Sequence, residues 1–187
     1  MDANLDRAKV LTEALPYIQQ YNGKIVVINC GGVPMTDPEL REAVMSDIIM
    51  LRLVGIKVVL VHGIGPEAKQ ALKDAGMELQ YKDGYPCVND DALDVVQQVL
   101  CGKVNKGLVS ALNQKGGKAI GLCGIDGGLL SAKTISPAYG RTGEVAKVDV
   151  TMVNSFLNQG YIPVIATVAQ GADGLANVYS VSANVAA

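Results

Sequence analysis

Histidine and cysteine, the usual protein ligands of transition metals, are scarce in this sequence. It contains one histidine and four cysteines, and the cysteines lie far apart without a C-x-x-C spacing. Structural metal sites and disulfide frameworks draw on such residues in recognisable spacings. We therefore expect no metal and interpret the cysteines as buried, reduced thiols, with metal or disulfide use as the alternative.

An excess of charge of one sign and long apolar runs are also missing. The formal net charge is only -2, from 16 basic and 18 acidic residues. Nucleic-acid binding depends on clustered lysine and arginine, so we expect no nucleic-acid partner. No uncharged apolar run approaches the roughly 20 residues of a membrane span. Since no basic segment followed by an apolar one opens the chain, we expect a cytoplasmic protein without a membrane partner.

What the sequence does contain is an alternation of β-branched runs and amphipathic stretches. Lys24–Asn29 and Ile56–His62 are predicted as central strands, and Ala119–Leu122 and Tyr161–Ala166 as two further core strands. Residues 77–88 are predicted to form a hairpin. Strands that alternate with helices predict an α/β three-layer sandwich with a mainly parallel central sheet. A chain of 187 residues fits one such core.

The helix predictions include two interruptions. An amphipathic helix is predicted over about residues 5–20, with Pro16 expected to kink or stop it. Two separate helices are predicted near 89–101 and 103–115, with a break at Gly102.

Two of the predicted strands run directly into glycine turns. Backbone N–H groups that follow a buried parallel strand are free to bind anions, and the carboxyl ends of such strands meet at one edge of the sheet. We therefore expect one opening there, which would also include Cys123–Asp126 and Thr167. No lysine or arginine ends the first strand, where phosphoryl transfer would need one. The candidate site residues at the two turns are Gly31, Gly32, Gly63, Ile64 and Gly65.

Several long, collinear motifs carry a resemblance to a known family. They are VVINCGGVPM, VVLVHGIGPE, CGKVNKGLVSALNQKGGKAIGLCGIDGG, GEVAKVD and GYIPVIA. Over nearly all of residues 8–187 the chain resembles the amino-acid kinase family, and within it the acetylglutamate kinases. The resemblance implies an enzyme of arginine biosynthesis that uses ATP and Mg²⁺ to phosphorylate the carboxylate of N-acetylglutamate.

The resemblance also implies a division of the chain. Residues 23–187 resemble the N-terminal, amino-acid-substrate-binding lobe, which forms a dimer, while the C-terminal nucleotide lobe is expected to be absent. Residues 1–22 resemble the N-terminal helix that links dimers into a hexamer in arginine-inhibited members. We accordingly expect a homo-oligomer, either a dimer or a hexamer, and no cofactor for this chain.

At the positions that carry the family's chemistry, this chain departs from the pattern. The resemblance implies a lysine where Asn29 stands, an aspartate at Asn184, and a substrate-clamping arginine at Pro86. Ile64 replaces a glycine and would strain its turn if a positive φ were required there. The candidate substrate-binding positions outside the glycine turns are Pro86, Ser180 and Ser182.

These departures share a direction, from charged to neutral. Loss of one donor to developing charge costs about 10²–10³ in rate, and loss of one partner of a buried charge pair costs about 2–5 kcal/mol. We therefore predict a catalytically inactive chain whose pocket has been rebuilt, by design or by descent, to bind a small, neutral molecule at the strand ends. Three alternatives stay open: a member without any ligand, a functional kinase that needs a partner ATP lobe, and an oligomeric scaffold.

Overall fold

The computed structural model describes residues 2–31, 37–172 and 178–187. Its helices are α1 (Asp2–Tyr21), α2 (Pro38–Leu53), α3 (Pro66–Asp74), α4 (Asp90–Gln97), α5 (Asn105–Gln114), α6 (Thr151–Asn158) and α7 (Ala183–Ala186), and a π-helical segment (Gln98–Val104) joins α4 to α5. Its strands are β1 (Ile25–Asn29), β2 (Lys57–His62), β3 (Gln80–Lys82), β4 (Tyr85–Cys87), β5 (Ala119–Cys123), β6 (Leu130–Thr134), β7 (Thr142–Val148), β8 (Ile162–Ala166), β9 (Val168–Gly171) and β10 (Val178–Val181).

The central sheet is fully parallel, with the strand order β1-β2-β8-β5. One face packs on α2 and α5, where Met45 and Leu112 are completely buried. The other face packs on α6 through Val153 and Leu157. Successive residues of a strand point to opposite faces, so Leu60 and Val61 of β2 enter different cores. The predicted three-layer α/β sandwich with a mainly parallel sheet is confirmed.

Four other strands form a second sheet, whose closed arrangement the sequence did not predict. β6 and β7 are antiparallel, β9 and β10 are antiparallel, and the two pairs join into a closed arrangement. The sequence predicts Leu129–Thr134 and Glu144–Val148 as a hairpin or edge pair, which the antiparallel pairing of β6 with β7 confirms. It carries no signal for the pairing of β6 with β9. This sheet matters for function because β7 and β10 bring their ends to the edge of the central sheet.

Two of the strands predicted as core strands lie at the edges of the central sheet. β1 is an edge strand, and its Ile25 and Val27 side chains are 50% and 43% exposed. β5 forms the opposite edge. A β-branched run indicates a strand but not its place in the sheet, which is why the central position predicted for β1 is wrong. The hairpin prediction is confirmed by the antiparallel pair β3–β4, whose turn residues Asp83 and Gly84 both have positive φ.

The helix predicted to kink or stop at Pro16 does not stop there, and the break predicted at Gly102 does not occur. α1 continues through Pro16 to Tyr21. At Gly102 the chain passes through the π-helical segment without a break, because a widened turn accommodates the extra residue. The same segment fixes the rotation at which α5 begins, and Asn105 is thereby fully buried.

α1 leaves its apolar side chains in contact with solvent. Val10 is 63% exposed, Leu11 71% and Tyr17 66%. These side chains find no core in the described part of the lobe, so burial cannot be what stabilises α1 in an isolated chain. None of the helices in the described ranges combines the length and the apolar character needed to cross a bilayer.

Candidate functional site

A cleft of about 390 Å³ opens at the carboxyl ends of β1 and β2. The β3–β4 hairpin, the start of β7 and the β10–α7 junction close its other sides. The structure brings together every candidate site residue that it describes, while Gly32 lies outside the described residues. The gathered residues are Asn29, Gly31, Gly63, Ile64, Gly65, Pro86, Ser180, Ser182 and Asn184.

Two substituted positions meet across this cleft. Asn29 ends β1 and Asn184 lies in α7, 155 positions further along the chain. The Nδ2 group of Asn29 donates a hydrogen bond to Oδ1 of Asn184. The resemblance implies a lysine and an aspartate at these positions, so a neutral amide pair stands where a charged pair is expected. The contact pairs one donor of Asn29 with the acceptor of Asn184 and places no positive charge in the cleft.

Glu67 is the one charged side chain that lines the cleft within the described residues. Its carboxylate folds back over the glycine turn, since a Cβ built on Gly65 would lie 3.3 Å from Glu67 Oε2. No lysine or arginine of the described chain lines the cleft. A bound anion would therefore meet a like charge and no compensating one, which is unfavourable in a partly enclosed site.

His62 reaches the cleft floor as a neutral imidazole. The side chain is 1% exposed, and this burial lowers its pKa from 6.5 to about 4. Its Nε2 lies 3.2 Å from Nδ2 of Asn105, which also donates to the main-chain carbonyls of Leu122 and Val164. Within the described residues, Nδ1 of His62 has no hydrogen-bond partner. His62 therefore supplies no positive charge near pH 7.

Ile64 is a packing residue rather than a strained one. It contacts the buried cluster that includes Leu72 and Val96. Among the described non-glycine residues, positive φ occurs at Asp83 alone, so the strain considered for Ile64 is not present. Its side chain is partly buried at the cleft rim and narrows the site where a glycine would leave space.

The opening predicted to include Cys123–Asp126 and Thr167 is smaller than expected. Cys123 packs with the cluster around Leu72, and the Asp126 carboxylate accepts a 2.7 Å hydrogen bond from the Cys123 N–H. Thr167 is completely buried behind Gly63. None of these residues lines the cleft. The strands do end at one edge, but the turn after β5 folds away from it.

Sequence reasoning missed the residues that wall the cleft from the side. Tyr81 and Tyr85 come from the β3–β4 hairpin, and Thr142 from the start of β7. Thr142 Oγ1 donates to the carbonyl oxygen of Pro86 and so ties the hairpin to the lobe. Tyrosines on both sides of an Asp-Gly turn could have indicated this wall, whereas nothing local points to Thr142. Within the described ranges, no group of three or more His, Cys, Asp or Glu side chains is arranged to hold a metal ion.

The parallel α/β lobe has its cleft at the glycine turns that follow its strands. This places the protein in the class of α/β proteins that bind ligands at the carboxyl ends of parallel strands. The chain belongs to the amino acid kinase family, whose model matches residues 24–187. It is 45% identical to the acetylglutamate kinase of Synechocystis sp. over 182 residues, and 45% identical to that of Clostridium beijerinckii over 184 residues. Both alignments cover 97% of this chain, but only 61% and 64% of the two relatives.

The fold is also similar to a solved structure. N-acetylglutamate synthase from Neisseria gonorrhoeae, complexed with coenzyme A and N-acetyl-glutamate, superposes with a TM-score of 0.75 at 23% sequence identity. The match covers 92% of this chain and 40% of the synthase chain. At this identity the similarity establishes the fold alone.

Proposed function

We propose that this chain binds a small, neutral molecule in its cleft and does not transfer a phosphoryl group. One observation carries the proposal: the described cleft contains the Asn29–Asn184 amide pair and Glu67, but no lysine or arginine. The chain spans about three fifths of the acetylglutamate kinases that it matches. Their similarity supports an origin of this cleft in a site for an acetylated amino acid.

The absence of lysine and arginine from the described cleft makes phosphoryl transfer unfavourable. Phosphoryl transfer relies on positioning and on neutralising the charge of the transferred group, since the protein supplies little covalent chemistry. Each missing donor costs about 10²–10³ in rate. A neutral His62 adds no compensating charge, because its pKa is lowered to about 4. The rate expected for a cleft of this composition is negligible.

The remaining residues suit a neutral ligand. Tyr81, Tyr85 and Pro86 offer apolar surface, while Ser180 and the asparagine pair offer hydrogen bonds. A cleft of about 390 Å³ falls in the size range of small-molecule sites. A few fixed polar groups in a mostly apolar wall set orientation and specificity.

A matched pair of ligands tests the proposal. N-acetylglutamate is a dianion near pH 7, and N-acetylglutamine amide has nearly the same shape without charge. We expect the amide to bind at least about tenfold more tightly in calorimetry, because Glu67 repels the dianion. Tighter binding of the dianion, or no binding of either compound, would contradict the proposal.

Two tyrosine variants provide the control. Tyr81→Ala removes a cleft wall from a 52% exposed position, and Tyr17→Ala removes a 66% exposed ring from α1, outside the cleft. We expect only the first to weaken amide binding. Equal losses would show that the amide binds outside the cleft.

Two other functions each have one supporting observation. The 45% identity to acetylglutamate kinases favours a kinase that phosphorylates N-acetylglutamate once a nucleotide-binding lobe is supplied. The exposed apolar residues Val10, Leu11 and Tyr17 of α1 favour an oligomeric scaffold, either a dimer or a hexamer. ADP release in the presence of N-acetylglutamate and MgATP would identify the kinase. A particle mass of a dimer or a hexamer in light scattering would identify the scaffold.

A further inference from the structure

Two of the four cysteines lie close together where the π-helical segment meets the end of β5. Cys123 is the last residue of β5, and Cys101 lies in the middle of the π-helical segment. The segment packs on β5, and both side chains join the cluster that includes Leu72 and Ala166. Both side chains are free thiols and partly exposed.

The surroundings of Cys123 stabilise a thiolate. Besides the Cys101 thiol, the main-chain N–H groups of Ile125 and Asp126 favour the charged form and lower its pKa. The hydrogen bond from Cys101 is the largest cause by which the pKa of Cys123 falls to about 7, against burial and the nearby Asp126 carboxylate. The same contact raises the pKa of Cys101, while Lys106 acts in the opposite direction. A thiol with a pKa near the ambient pH is the most effective nucleophile in disulfide exchange.

The turn that holds Cys123 is rigid. A Cβ on Gly124 would lie 2.5 Å from the Val168 carbonyl oxygen, so the chain can take this path only with glycine. Gly124 N–H also donates to the Ala166 carbonyl, and Asp126 holds the Cys123 N–H. The Cys123 sulfur is therefore presented at a fixed place next to Cys101.

We propose that Cys101 and Cys123 form a reversible intramolecular disulfide by exchange with a small-molecule disulfide such as glutathione disulfide. The Cys123 thiolate attacks one sulfur of glutathione disulfide, breaks its S–S bond and expels one glutathione thiolate. Cys101 loses its proton to solvent and attacks the Cys123 sulfur, which expels the second glutathione. Two protein thiols are oxidised and one glutathione disulfide is reduced to two thiols. This inference does not depend on the proposed ligand.

The disulfide would affect the cleft floor because Cys101 and Asn105 are about one helical turn apart. Asn105 follows Cys101 by four residues and holds the floor residue His62 at 3.2 Å. Drawing the π-helical segment toward β5 would move Asn105 relative to the Leu122 and Val164 carbonyls that it binds. The oxidised and reduced forms should therefore differ at the cleft floor.

Peptide mapping tests the bond directly. The full chain is equilibrated with glutathione disulfide at several ratios to glutathione, blocked with iodoacetamide and digested with trypsin. Cys101 lies in the tryptic peptide 83–103 and Cys123 in 119–133. Because Cys87 shares the first peptide, the experiment uses the Cys87→Ser variant alongside the natural chain. We expect the two peptides to be linked in both proteins and to separate with dithiothreitol. Absence of the link, or a mixed glutathione disulfide on Cys123 that never resolves, would overturn the proposal.

Two variants of Cys101 separate the roles of its thiol. Cys101→Ser cannot form the disulfide but keeps a donor to Cys123, whereas Cys101→Ala removes both functions. We expect the rate of Cys123 alkylation at pH 7 to fall at least about fivefold in the alanine variant and much less in the serine variant. Equal rates in the natural chain and both variants would contradict the thiolate stabilisation on which the exchange depends.

Discussion

The protonation of His62 offers a prediction that a single titration can refute. This side chain is 1% exposed, and burial lowers its pKa from 6.5 to about 4. The unfolded chain therefore binds a proton more readily than the folded chain between these two values. Stability rises with pH across this window, so the contribution of the neutral ring is complete above about pH 6.5 and is lost as the pH falls toward 4.

The magnitude follows from the two pKa values. Between pH 7 and pH 5 the free energy of unfolding should fall by about 2 kcal/mol because of His62 alone. Over the whole window the loss is about 3 kcal/mol. Arg141 lowers the pKa of Asp90 and Lys115 lowers that of Glu42, so these two carboxylates contribute to the pH dependence below this range.

Two assays check this prediction. Urea unfolding at pH 7 and pH 5 should show the loss in the natural chain and not in His62→Gln, whatever the stability of that variant at pH 7. Since the chain has one histidine, its proton NMR titration needs no assignment. A histidine pKa of 6 or above, or equal pH dependence of the two proteins, would refute the reasoning.

Three further predictions concern the cleft and α1. In a cycle of Asn29→Lys and Asn184→Asp, we expect a coupling free energy of about 0.2–1 kcal/mol in urea unfolding, because the pair is exposed; strictly additive effects would contradict the contact. Ile64→Gly should lower the free energy of unfolding by about 1–3 kcal/mol, since its packing is lost; an unchanged stability would mean that Ile64 is not a packing residue. Removal of α1 should lower the particle mass in light scattering, because its apolar face is unburied in the lobe; an unchanged mass would exclude α1 from assembly.

The pattern of apolar residues predicted the strands and helices of the parallel sheet, because burial determines that pattern. β2 and β8 read as continuous apolar runs, and both lie inside the parallel sheet. β1 has a similar composition but alternates between exposed and half-buried positions, which composition alone does not reveal. The break predicted at Gly102 was wrong because the sequence does not distinguish a glycine that ends a helix from a glycine inside a widened π-helical turn.

The cleft was predictable to the extent that it follows strand ends. Because ligand sites in parallel sheets lie at the carboxyl ends of the strands, the sequence alone predicts that Asn29, Gly63 and Gly65 lie together. Their meeting with Ser180 and Asn184 came from the resemblance, since no local pattern joins positions so far apart. The positions of Tyr81 and Thr142 depend on how the hairpin and the second sheet pack on the lobe. The buried contact of His62 with Asn105 depends on how α5 packs on the central sheet. No short segment of sequence predicts either kind of long-range packing.

The Cys101–Cys123 contact shows the same limit. In sequence the cysteines are separated and lack a redox spacing, which predicts buried, reduced thiols. The thiols meet because the π-helical segment packs against the end of β5. The proposed reactivity of these thiols depends on the contact between the π-helical segment and β5. The sequence of either element alone does not predict it.

A chimeric enzyme tests the central claim, that the charge of this cleft and not the length of the chain prevents catalysis. The measurement is ADP release from N-acetylglutamate and MgATP by residues 1–187 joined to the remaining part of the Synechocystis acetylglutamate kinase, with that kinase as the positive control. We predict no turnover above background, since the described cleft has no lysine or arginine. Turnover close to that of the Synechocystis enzyme would contradict the account.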